Sequence, residues 1–180
     1  MGLVKGTNCG FVTEAPTGDP VESSQVMDTT SRALKDTSPA GAGRITEIGW
    51  YCENATEESN FEVGLYSDNA GVPQTRLYVD NTNAKGTGLG WKTVSVDWEI
   101  SAETIYWIAV QLDDTASPTN IDRLSSVGDA QSYMLTQTSL VTPWVSGGVL
   151  AYLYAIYAVY EEAADDTAIM TLNTGHWGGV

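Results

Sequence analysis

Apolar residues recur at every second position over much of the chain, a period that predicts strands rather than helices. From Ile45 onward the alternation is regular: Ile48, Trp50 and Cys52 share one face of a strand, with Glu47 and Tyr51 on the other. Phe61, Val63 and Leu65 repeat the pattern against Glu62, Gly64 and Tyr66. Ser67-Asp68-Asn69-Ala70-Gly71-Val72-Pro73 then supplies turn residues, because Asn and Gly tolerate positive φ and Pro fixes its own. Leu77 and Val79 follow in a short strand. The cleanest pattern spans 93–100, where Val94, Val96, Trp98 and Ile100 alternate with Thr93, Ser95, Asp97 and Glu99.

Residues 104–112 are apolar on both faces, which predicts a central strand covered on both sides, or on one side by a neighbouring subunit. Residues 113–122 read as a polar loop and 132–138 as a weaker strand. The last long element, 149–160, carries Tyr152, Tyr154, Tyr157 and Tyr160. Those spacings also fit a helix, but Gly147-Gly148 precede them, and β-branched and aromatic residues favour a strand. Residues 1–44 are rich in Gly, Thr, Ser and Pro, with apolar pieces at 10–13 and 25–34. The expected architecture is all-β: a jelly-roll-type antiparallel β-sandwich of about eight or nine strands, with extended N- and C-terminal arms. The expected division is an arm over 1–24, a sandwich over 25–160 and a second arm over 161–180.

Charge removes whole classes of function. The 180 residues include 23 acidic and 8 basic side chains, a net charge of −15. Nothing basic is available to neutralise phosphates or an anionic membrane surface, so no nucleic-acid partner is expected. No apolar run approaches the roughly 18 residues of a spanning helix, so no membrane insertion is expected. Met1-Gly2-Leu3-Val4-Lys5-Gly6 lacks a secretory pattern, which fits synthesis in a cytosol followed by assembly. Cys9 and Cys52 form either one bridge or two buried thiols, and with His176 as the one histidine there is no zinc set.

The stretch from Phe61 to Pro73, with Gly90-Trp91-Lys92 and Ile105-Tyr106-Trp107-Ile108-Ala109-Val110, resembles β-sandwich modules of tailed-phage and metagenomic virion proteins and of bacterial surface proteins. The resemblance covers about residues 45–160. It implies a jelly-roll-like sandwich used for display, attachment or particle reinforcement, and it brings no shared catalytic motif. Residues 1–44 also look like the start of a phage structural protein.

No enzyme is expected. His176 lies close to the chain end, a poor place to hold a general base, and most carboxylates fall at outward positions or in turns. Gly86-Thr87-Gly88-Leu89-Gly90 lacks the following helix of a phosphate site. No cofactor is expected; calcium is the candidate metal, through loop oxygens at Asp68, Asp80, Asp113 and Asp114. For a glycan, the candidate platforms are Trp91 and Trp144, whereas Trp50, Trp98 and Trp107 are expected in the core.

Polar, Gly-rich ends need something to hold them, either their own domain or neighbouring subunits. The doubly apolar strand, the Tyr-rich strand and the aromatic anchor Trp177 between glycines point to contacts with other chains. The expected interface residues are Trp177, Tyr152, Tyr154, Tyr157 and Tyr160. The sequence therefore reads as a non-enzymatic homo-oligomeric subunit of a larger assembly, pairing with itself and with other capsid or assembly subunits. The expected setting is a phage or virus particle surface, as a decoration, head-fibre or minor capsid protein. The alternatives are a carbohydrate-binding adhesin module on a cell or particle surface and a subunit of an extracellular filament.

Overall fold

Among the described residues of the computed structural model, thirteen strands follow one another: β1 (Gly10–Val12), β2 (Ser23–Val26), β3 (Thr30–Thr37), β4 (Ala42–Asn54), β5 (Phe61–Asn69), β6 (Val72–Asp80), β7 (Gly90–Glu99), β8 (Ile105–Leu112), β9 (Asn120–Ser125), β10 (Gln131–Leu135), β11 (Gly148–Leu150), β12 (Tyr152–Tyr154) and β13 (Ile156–Glu162). The structure describes residues 1–54, 61–81, 88–112, 119–125, 131–145 and 147–164. One sheet holds seven strands and the other runs β11-β10-β3-β8-β5-β6.

Four antiparallel pairings nest inside one another: β5 with β6, β4 with β7, β3 with β8 and β2 with β9. Successive pairs alternate between the sheets, so one long ribbon is wound round the core, which is jelly-roll winding. The expected all-β jelly-roll sandwich is the observed fold.

The Tyr-rich segment departs from a plain roll. Tyr154 pairs with Arg123 of β9, whereas Ile156 pairs with Trp50 of β4. Between them Ala155 accepts the Tyr51 N–H at 2.9 Å and donates its own N–H to the Asp122 carbonyl at 2.9 Å. The segment is thus wedged between β4 and β9, which touch directly only where Cys52 meets Ile121 and Asn54 meets Asn120.

The alternating residues fill the space between the sheets, as the period requires: Ile48, Trp50 and Cys52 face Phe61, Val63, Leu65, Ile108 and Val110 in one buried cluster. Trp50 and Trp98 belong to it, as expected. Ile45 and Ile48 are both buried despite their odd spacing, because a bulge between Ile45 and Glu47 resets the face. The expected turn over 67–73 narrows to Ala70-Gly71, with Asn69 and Val72 paired on either side. Both turn residues have positive φ, 53° and 85°, the geometry of a tight two-residue hairpin, and Gly71 takes its share without strain.

The doubly apolar strand is central and covered on both faces by its own chain. β8 lies between β3 and β5 and turns Ile108, Val110 and Leu112 to the main core. Trp107 and Ala109 face outward, where Ala33, Tyr66, Met134, Leu140 and Trp144 close a second cluster over them. The cover is a strap formed by residues 136–145. Its ties include Tyr66 Oη donating to the Val141 carbonyl (2.8 Å), Trp144 N–H donating to the Gln74 carbonyl (2.8 Å) and Gln111 Nε2 donating to the Gln137 carbonyl (2.8 Å). The doubly apolar strand therefore gives no evidence of a neighbouring subunit.

The N-terminal arm also lies on its own domain. β1 adds to β13 in parallel, Phe11 N–H reaches Asp36 Oδ2 (2.9 Å), and Leu3, Cys9 and Phe11 enter the main core. Residues 120–122, expected in a polar loop, begin β9 instead. The expected single strand over 149–160 is broken into β11, β12 and the start of β13.

Candidate functional site

The aromatic residues singled out by sequence mostly turn inward. Tyr154 and Tyr157 are fully buried in the wedged segment, so they pack this chain and offer no face to a second one. Tyr152 and Tyr160 are half-buried against the main core, and Arg123 lies over the Tyr152 ring at 4.1 Å from its centre. Tyr154 and Tyr157 therefore drop out of the expected tyrosine interface, because their rings are enclosed by this chain's own core. Trp177 lies outside the described residues.

The glycan platforms fare the same way. Trp144 is 7% exposed, its ring turned inward from the strap and set edge-on to Tyr66 at 5.1 Å, so it offers no open face to a sugar. Trp91 is half-buried, packed edgewise between Tyr51 and Tyr157, each 5.2 Å away. Its indole N–H donates to the Gly18 carbonyl (2.9 Å), which holds the arm down. Trp91 is an arm anchor rather than an open platform.

Of the expected calcium ligands, Asp68 and Asp80 do not converge. Asp68 uses Oδ1 to accept the Trp107 indole N–H (2.8 Å) and Oδ2 to accept the Gly71 N–H (3.1 Å), a turn-closing role. Asp80 pairs with Val63, five residues from Asp68 along β5, and at about 3.3 Å per residue that is roughly 16 Å away. Asp113 and Asp114 lie outside the described residues.

Three other carboxylates do converge. Oxygens of Asp19 on the arm, Glu53 at the end of β4 and Asp122 in β9 lie within 4.8 Å of one another. Asp122 is fully buried, with Oδ2 accepting the Glu22 N–H (3.2 Å) and Oδ1 lacking any partner among the described residues. Burial raises its carboxyl to about 6, the Glu22 N–H works the other way, and Glu53, Asp19 and Glu22 add to the rise. Sequence reading missed this group because its members stand 34 and 69 positions apart. The available signal was Asp122 following Ile121 in what looked like a loop and is a strand.

Cys9 and Cys52 are buried thiols that form no disulfide with each other. Burial pushes the Cys9 thiol up to about 12, so it stays neutral and is no nucleophile. A surface hollow of about 390 Å³, where β13 leaves the sheet, is lined by Arg44, Glu99, Glu161 and Glu162 among others, without a nucleophile–base pair.

The two long sheet edges differ in chemistry. β7 is bordered by Thr93, Ser95, Asp97 and Glu99, all exposed, the polar margin that discourages edge pairing. β6 ends the other sheet and exposes Leu77 (44%) and Val79 (37%) on one face. The strap covers only its first half, through Gln74 and through Arg76 N–H donating to Thr142 Oγ1 (3.2 Å).

No protein-family model matches the chain, and no curated protein matches it. Among solved structures it is similar to the cysteine protease and lectin-like domains of Cwp84, a surface layer associated protein of Clostridium difficile, with 11% identity and a TM-score of 0.45. The likeness covers 71% of this chain and 31% of that one, so the chain spans about a third of that protein's length. At that distance the likeness assigns no function.

Proposed function

We propose that this chain is a non-enzymatic structural subunit that associates with copies of itself through the β6 edge. Its setting would be the one the sequence resemblance implies, the surface of a phage or virus particle, as a decoration, head-fibre or minor capsid protein. The observation that supports the reading is the contrast between the edges. β7 is blunted by carboxylates, whereas the second half of β6 leaves Leu77 and Val79 in solvent at the end of an otherwise well-covered sheet. Strand addition there satisfies backbone groups and buries both side chains. The net charge of −15 opposes association between copies, and salt relieves that repulsion.

Light scattering after size exclusion tests this on the full chain. A mass above 19.3 kDa at micromolar concentration, rising with ionic strength and returning to 19.3 kDa in Leu77→Lys/Val79→Lys, is the expected result. Both residues are exposed, so the fold tolerates the change. A monomer at every salt concentration, or an oligomer indifferent to the double substitution, overturns docking through β6.

A further inference from the structure

We propose that Asp19, Glu53 and Asp122 form a calcium site that fastens the N-terminal arm to the rolled sheet. Calcium binds oxygen at about 2.3–2.6 Å, so ligand oxygens on one ion stand no more than about 5 Å apart. The three carboxylates meet that limit, all within 4.8 Å. They come from three separate parts of the fold: the arm, the end of β4 and the interior of β9.

The orphaned oxygen of Asp122 is the observation that turns an acidic cluster into a site. A fully buried carboxylate needs hydrogen-bond donors or a cation around it. Asp122 has one donor, Glu22 N–H on Oδ2, and Oδ1 has none among the described residues. The neighbouring charges that act on it are Glu53, Asp19 and Glu22, all acidic. Asn120, two residues earlier and on the same face of β9, carries a second buried oxygen without a partner. Three converging carboxylates, one of them buried with an oxygen that no donor reaches among the described residues, describe a place that a hard divalent cation completes.

Asp19 is held ready for that role. Its Oδ1 accepts the Val21 N–H (2.7 Å), its carboxylate also hydrogen-bonds the Tyr51 side chain, and Gly18 beside it is pinned by Trp91. An ion there ties Asp19 to β4 and β9 and holds the arm over the sheet. Its binding free energy therefore adds to stability by linkage.

Terbium, which shares calcium's preference for oxygen and emits when a nearby aromatic ring absorbs, is the probe on the full chain after chelator treatment. The expected result is saturable emission sensitised by Tyr51 and Trp91, displaced by calcium, with affinity falling at least about tenfold in Asp19→Asn and Asp122→Asn. Asp97→Asn, an exposed carboxylate on β7, is expected to bind as the parent does. Calcium is also expected to raise the melting temperature of the parent and not that of Asp19→Asn. Asp19 is exposed, so its substitution leaves the core intact and decides the matter even if Asp122→Asn folds poorly. Equal emission in all variants signals diffuse attraction to an acidic surface and overturns the site. So does the absence of saturable binding in the parent.

Discussion

Truncating Trp144 to Ala tests whether the strap is a packed layer of the fold. The side chain is 7% exposed and closes a cluster with Tyr66, Trp107, Ala109 and Leu140. Replacing a buried Trp or Phe by Ala costs about 3–5 kcal/mol. Two features lower that figure here. The Trp144 indole N–H has no acceptor among the described residues, and a buried donor in that state costs about 1–3 kcal/mol, which truncation recovers. The backbone tie from Trp144 N–H to Gln74 also survives the change. The expected net loss is about 2 kcal/mol, the transfer and cavity cost less the recovered donor penalty. Trp144→Phe keeps a ring edge-on to Tyr66 and removes the orphaned N–H, so its loss is expected to stay within about 1 kcal/mol. Urea titration followed by circular dichroism reads both, and with a slope of about 2 kcal/mol/M the Ala variant moves the midpoint by about 1 M. A loss below about 0.5 kcal/mol for Ala refutes the strap as a packing element. Equal losses for Phe and Ala refute the orphaned indole.

Two further outcomes follow from the same packing. Gly49→Ala places a Cβ 2.5 Å from Tyr157 Cε1 and 2.6 Å from its hydroxyl, on a ring already fixed by its bond to Glu47 and by Trp91. A loss of about 1–3 kcal/mol in thermal melts is expected, and a neutral result means the ring moves freely. Cys9 is raised to about 12 and the Tyr66 and Tyr157 hydroxyls are also pushed up, in each case chiefly by burial. Groups raised in the fold contribute fully below their unfolded values and lose that contribution as pH climbs through the folded ones. Melting temperature is therefore expected to fall as pH rises above about 9, and a flat alkaline profile contradicts the burial of these groups.

Much of the core was legible in the chain. The period of two assigned Ile48, Trp50, Cys52, Phe61, Val63, Leu65, Val94 and Trp98 to the interior because alternation and one buried face are the same physical fact. Both apolar faces of β8 were legible as well, since Trp107 and Ala109 lie between Ile108 and Val110 on the opposite side. The identity of the cover was not. A side chain records that it is buried and not by what, so a strap of the same chain and a neighbouring subunit write the same sequence.

Local order, then, was set by sequence: all-β elements, the turn at Ala70-Gly71 and the inward tryptophans. Tertiary structure alone decided three matters. It wedged the tyrosine segment between β4 and β9, which turned Tyr154 and Tyr157 from expected docking residues into core. It brought Asp19, Glu53 and Asp122 together, and it placed Asp68 and Asp80 at opposite ends of one hairpin. The reason is common to all three. Alternation fixes which face a residue occupies, but which strands become neighbours depends on how the ribbon rolls, and that comes from pairings between distant segments.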